Sequence, residues 1–362
     1  MIKKDQNGLW KIKNYYKLGI LLIVIGVGIR IFMMIYYYIA HLDPSLDWGD
    51  IFINYHTTDS MFTGEWIWNV SDLEYPPLTL YFLNFFKLIS FGVFEVFVFY
   101  AFILELLISL SFYFILKKFD IKNRLFVLGT FLVNPFLFLN NVFSPINCGY
   151  HITDSFFYIF LLLSLYYYPK EDKTLFYLFS GLTMSVKWFT LPAAVYFFFK
   201  FLFNKNWVEM KKIIIYIGIP IIIFLITPVF YLPNYLDLYI GWVSSPESAS
   251  IYNPPLIFKL LLFGAVFIGY FIFRIKKADL LELTFFSIIV MFSILFWRRT
   301  YVRYLTPLIL YGHLTTKESV FTIDIDFKIA RVHFQTGNHL LTYFFSILGC
   351  VASIAIILFL WI

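Results

Sequence analysis

The chain has 362 residues, of which 61% are hydrophobic and 14% charged, against about a quarter charged in a soluble domain. With a mean hydropathy of +0.79, this excludes an ordinary soluble globular protein and predicts a polytopic membrane protein. The net charge of +6 reads as the Lys and Arg excess of cytoplasmic loops rather than a nucleic-acid footprint, so no nucleic-acid partner is expected.

The N-terminal MIKKDQNGLWKIKNYYK is basic. The apolar run behind it is long and lacks a cleavage site, so it reads as a retained first helix over 18–40. A long connection follows over about 41–92, and its DWGDIFINYHTTDSMFTGEWIWNVSDLEYPPL stretch (47–78) holds no Lys or Arg. A connection of this length is expected to be functional, and its Trp, Tyr, Phe and Ile content argues against disorder. Within it, TDSMFTGEWIW reads as an amphipathic interfacial helix. EYPPLTLYFLNFFKLIS reads as a second one, opened by Pro76 and Pro77.

Further apolar spans are expected at about 93–116, 125–143, 152–168, 174–187, 188–204, 213–233, 254–275, 280–297, 301–314 and 340–361. The fold class predicted is therefore an all-α polytopic bundle of about 11 transmembrane helices. The pair 174–187 and 188–204 is short and reads as a broken or partial crossing. The polar–apolar alternation of TIDIDFKIARVHFQTGNH (322–339) predicts a short strand pair or an interfacial segment. Residues 1–314 form the expected main transmembrane domain, and 315–362 a C-terminal segment ending in a last span.

Charge sets the expected sidedness. Lys3, Lys4, Lys11, Lys13 and Lys17 precede the first span. Lys117, Lys118, Lys122 and Arg124 follow the second, Lys200, Lys205, Lys211 and Lys212 precede the seventh, and Arg274, Lys276 and Lys277 follow the eighth. All fall on one side, which puts the N-terminus in the cytoplasm and the 41–92 loop outside, extracytoplasmic or luminal.

Candidate residues follow from that placement. Asp43, Asp59, Glu65, Asp72 and Glu74 read as loop solvation. Asp50 and Asp47 stand just beyond the mouth of the first span, where a half-desolvated carboxylate can act as a general base. In WRRTYVRYLTP (297–307), Arg298, Arg299 and Arg303 sit on the side where positive charge breaks the topology rule. Their planar forks suit an anion such as a lipid phosphate. Lys187, between two short apolar runs, joins them as a candidate anion ligand or as half of a structural ion pair. His151, Asp154, Tyr75 and Tyr304 are candidates for lining the same cavity. Arg30 and Glu105, each midway along a span, read as a structural ion pair. Cys148 and Cys350 are the only cysteines, and there is no Cys/His cluster, P-loop, GxSxG or HExxH, so no metal centre or nucleotide site is expected.

Taken in order, the motifs resemble the GT-C superfamily of integral-membrane glycosyltransferases. They are most similar to the polyprenyl-phosphate-mannose-dependent mannosyltransferases, including the first GPI mannosyltransferase type and prokaryotic relatives. The matching pieces are a first span leading into DWGD, then Gly64 and YPPL (75–78), then GLTMSVKWFTLP with Gly181, Lys187 and Pro192, then WRRTYVRYLTP. The family's acidic motif is often Asp-x-Asp, whereas here Trp48 and Gly49 separate Asp47 from Asp50, so the choice of base stays open between them. The resemblance implies an inverting transfer of a hexose, mannose by analogy, from a polyprenyl-phosphate-linked donor to a lipid, glycan or protein acceptor. It requires no cofactor, though the carboxylates could hold a divalent metal. A transporter, a lipid-linked-glycan flippase and a glycan polymerase or ligase are the alternative readings.

Overall fold

A computed structural model of the chain describes residues 2–4, 10–12, 15–42, 49–56, 76–121, 123–133, 139–141, 144–148, 152–187, 190–227, 314, 321–327 and 330–336. These residues are mainly helical. They fall into two compact units, one from Met1–Ile39, Ser109–Gly149 and Tyr301–Ile362, the other from Ala40–Ile108 and Tyr150–Thr300. The expected spans at 254–275, 280–297, 301–314 and 340–361 lie outside the described residues, apart from Leu314, as does the expected TDSMFTGEWIW helix.

In the first unit, α1 (Tyr15–Leu42) contributes its apolar N-terminal part, and α5 (Arg124–Leu132) packs across it. The approach is close enough to need glycine. A Cβ on Gly19 would lie 2.6 Å from the Phe126 nitrogen, and one on Gly129 would lie 2.8 Å from the Gly19 carbonyl oxygen. Small residues at a helix crossing let backbones meet where hydrocarbon supplies no hydrophobic drive between helices. Arg30 is fully buried. Its guanidinium donates to the carbonyls of Gly26 (3.0 Å) and Leu132 (2.9 Å). Leu132 is the last residue of α5, so its carbonyl is one that the helix cannot satisfy internally, and a cation there complements the helix dipole.

The first unit also holds the last turns of the Phe94–Lys118 helix, from Ser109 on, and three antiparallel hairpins: β1 (Ile2–Lys4) with β2 (Trp10–Ile12), β3 (Leu139–Asn141) with β4 (Ser144–Cys148), and β5 (Phe321–Phe327) with β6 (Ala330–Thr336). In the last, Phe321 pairs with Thr336 and Phe327 with Ala330, so the alternating stretch near 322–339 is a strand pair. The expected span at 125–143 is corrected. Its helix covers only Arg124–Leu132, and Leu139–Asn141 is strand. Pro135 disfavours helical backbone at the residue before it, which accounts for an early stop.

The second unit holds α2 (Gly49–His56), α3 (Pro77–Ile89), most of α4 (Phe94–Lys118), α6 (Ile152–Tyr167), α7 (Thr174–Val186), α8 (Leu191–Phe203), α9 (Trp207–Ile213) and α10 (Ile219–Ile226). The expected helix opened by the proline pair is α3, with Pro76 as N-cap and Pro77 in the first turn. An N–H there would have no helical partner, so its loss costs little. The break expected between 174–187 and 188–204 is also present. Helices α7 and α8 have 13 residues each, about 20 Å, too short to cross a hydrocarbon core of about 30 Å alone.

Between α9 and α10 the backbone is a π-helix over Ile214–Gly218, with Pro220 just beyond. Pro220 has no N–H for the Tyr216 carbonyl, which explains the distortion. Gly181 on α7 faces that carbonyl, and a Cβ at Gly181 would lie 2.8 Å from its oxygen.

Two described helices, Tyr15–Ile39 and Phe94–Lys118, are long and apolar enough to cross a membrane. Along α1, Val24, Phe32 and Ile39 are exposed, a surface suited to lipid rather than water.

Candidate functional site

One set of buried polar groups of the second unit gathers where α6 begins, α7 ends and α3 begins. Asp154 lies in the first turn of α6, and Lys187 is the extended residue that caps the C-terminus of α7. The turn between α6 and α7 runs these helices antiparallel, so residues 33 apart meet. The Lys187 ammonium donates to the Asp154 carboxylate, and both residues are buried. Thr79, in the first turn of α3, donates its hydroxyl to the Val186 carbonyl at 3.1 Å, satisfying one of the orphan acceptors at the end of α7. Ser155 donates to Glu105 of α4 at 3.3 Å. Thr153 and Ser185 are buried beside them.

Around this polar layer the packing is aromatic. Phe82 of α3 stacks on Phe156 of α6 with centroids 4.9 Å apart, and Phe86 meets the same ring at 5.3 Å. A charge pair in such surroundings is retained at a desolvation cost of several kcal/mol per ion. Lys187 and Asp154 were candidates on separate grounds, and the fold brings them together.

The other end of α7 carries a second polar network. Asp172 accepts from the Thr174 N–H at 3.0 Å and from its hydroxyl at 2.7 Å, which holds its carboxyl below the usual range. Lys212 bridges Asp172 (3.4 Å) and Glu209 (3.1 Å), which raises its own pKa. This network ties the α6–α7 turn to α9.

Asp50 lies in the first turn of α2, directly after the connection from α1. Helix α2 has eight residues, well under the roughly 12–15 at which isolated helices become even marginally stable, so tertiary contacts must hold it. Ile51 and Asn54 are buried. Phe52 and Tyr55 pack edge-on against Phe94, with centroids 6.0 and 5.3 Å away, and Tyr55 also meets Phe97 at 5.5 Å.

Sequence reasoning passed over a residue beneath α2. Lys87 of α3 is buried, donates to the Tyr55 carbonyl at 2.9 Å, and sits 4.1 Å above the centre of the Tyr55 ring. Burial pulls its pKa down to about 8. The available signal was spacing, since Leu80, Leu83 and Lys87 share the buried face of α3 and only the last is polar.

The sequence pattern pairs Arg30 with Glu105. Among their described contacts, Arg30 caps α5 and Glu105 accepts from Ser155. Asp47, Arg298, Arg299, Arg303, His151, Tyr75 and Tyr304 lie outside the described residues. Comparison with family models, curated proteins and solved structures returned no match.

Proposed function

We propose that the chain is an inverting glycosyltransferase of the membrane. It would move a hexose, mannose by resemblance, from a polyprenyl-phosphate donor to an acceptor hydroxyl on the extracytoplasmic side. In this reading the chain crosses the membrane about eleven times with its N-terminus in the cytoplasm. The observation that carries the reading is the buried Lys187–Asp154 pair at the break between α7 and α8. A cation kept at such cost inside an aromatic bundle suits the handling of an anion, and it falls in the segment that resembles the family's Gly–Lys–Pro motif.

The chemistry is a single displacement. The acceptor hydroxyl gives its proton to Asp50, or to Asp47, and its oxygen attacks C1 of the sugar from the face opposite the lipid phosphate. The C1–O bond to phosphate breaks, and the phosphate leaves with the electron pair. Arg303, Arg299 or Arg298, with Lys187, offset the charge that develops on it. General-base assistance contributes roughly 10²–10⁴-fold.

The test is incubation of the purified protein with polyprenyl-phosphate-mannose and a candidate acceptor, following release of polyprenyl phosphate. Asp50→Asn should abolish release while membrane insertion is retained. Full activity in both Asp50→Asn and Asp47→Asn would remove the base assignment.

The same buried pair favours one second reading, a transporter, because charge pairs at broken helices also line transport paths. Substrate counterflow in liposomes without donor cleavage would select it.

A further inference from the structure

The corner formed by the end of α3, the turn to α4 and the last turn of α2 is built around Lys87. Leu83 and Leu80, one and two turns earlier on the same face of α3, are apolar and buried. An apolar residue at 87 would continue the pattern and avoid the cost of a buried ammonium. Lys87 instead reaches the Tyr55 carbonyl, in the final turn of α2, where backbone acceptors lack helical partners and a positive charge is favoured. The ammonium also lies over the Tyr55 ring, an arrangement that strengthens when water is excluded.

The turn completes the clamp. The Tyr55 hydroxyl donates to the Gly92 carbonyl. The Ser90 hydroxyl donates to the Lys87 carbonyl at 2.7 Å. Phe91 and Gly92 both take positive φ, 54° and 68°, so the turn has a specific shape. Tyr55 is thus held at its carbonyl, its ring and its hydroxyl, all from the α3–α4 corner.

We infer that Lys87 is a positioning residue that fixes α2, and with it Asp50 one and a half turns upstream, against the α3–α4 corner. The kinetic part of this inference rests on the glycosyltransferase reading. The structural part stands without it.

The experiment uses the full chain in lipid nanodiscs, comparing wild type with Lys87→Met, Lys87→Arg and Tyr55→Phe. Hydrogen exchange of residues 49–56 should rise at least tenfold in Lys87→Met, with that of 94–118 unchanged. In the transferase assay, Lys87→Met should lower kcat by about 10²-fold, the scale of a small misplacement of a reacting group, while the donor KM stays within twofold. Lys87→Arg keeps a cation over the ring and should restore most of kcat. Tyr55→Phe removes only the hydroxyl contact, should fold in any case, and should raise exchange at 49–56 to a smaller extent.

Unchanged exchange at 49–56 in both Lys87→Met and Tyr55→Phe overturns the clamp. A kcat for Lys87→Met equal to wild type, in an enzyme that Asp50→Asn inactivates, overturns the positioning role. Absence of transfer by wild type, with the exchange response intact, would count against the glycosyltransferase reading and leave the clamp standing.

Discussion

The α1–α5 contact in the first unit and the α3–α6–α7 contact in the second face the same task, joining helices in apolar surroundings, and they solve it differently. Helices α1 and α5 meet through Gly19 and Gly129, backbone against backbone, and a buried cation, Arg30, caps the open end of α5. Helices α6 and α7 meet at a buried ion pair, with hydroxyls from Thr79 and Ser155 on neighbouring carbonyl and carboxylate groups. Close backbone packing gives a rigid joint with little chemistry. A buried charge pair gives a joint that stores two groups able to meet a charged ligand, at a cost in stability.

The difference can be tested by substitution, beginning with the largest effect. Lys187→Met leaves the Asp154 carboxylate buried without its cation and should cost about 3–5 kcal/mol. Adding Asp154→Asn should recover most of that loss in a thermal melt of the intact chain, while transfer activity stays absent. A double variant as unstable as the single one would make the pair a structural joint and erase the contrast. Gly19→Ala comes next. Its methyl meets the Phe126 backbone nitrogen rather than a side chain that can turn away, so destabilisation of roughly 1–3 kcal/mol is expected. A neutral melt would show that the first unit's close approach is not needed.

The smallest effect is in pH. Burial lowers the Lys87 pKa from 10.5 to about 8. Between those values the unfolded chain holds more protons than the folded one, so this group makes stability rise with pH across that window. Activity should go the other way, because the clamp on Tyr55 loses its cation as pH passes about 8. Among the described side chains of α2, His56, lowered by burial and by Lys87, and Tyr55, raised by burial and by Glu95, are titratable and act on this corner, and His41 lies 3.8 Å from Glu95 on α4. A kcat that declines above about pH 8 in wild type and not in Lys87→Arg would assign the decline to Lys87. The same decline in both would assign it elsewhere.

Much of the helical layout was legible beforehand. The runs read as 18–40 and 93–116 are α1, Tyr15–Leu42, and α4, Phe94–Lys118. A long apolar run cannot hide its backbone polar groups except as a helix. The proline pair marked the start of α3, and Lys187 marked a break, because both act within one turn of chain. The role of Gly181 was not legible. The resemblance offered it as a motif residue, whereas its position against the Tyr216 carbonyl explains it by packing next to a proline-distorted segment.

By itself the sequence determined where helices run, where prolines open or distort them, and that a few charges are too costly to be accidental, since hydropathy, backbone sterics and desolvation act locally. Only the tertiary structure decided the partners: Lys187 with Asp154 across the α6–α7 turn, Arg30 with the end of α5, Lys87 with Tyr55. Each pairing depends on which helix ends arrive side by side. That is settled by packing between segments tens of residues apart, to which no local pattern in the chain corresponds.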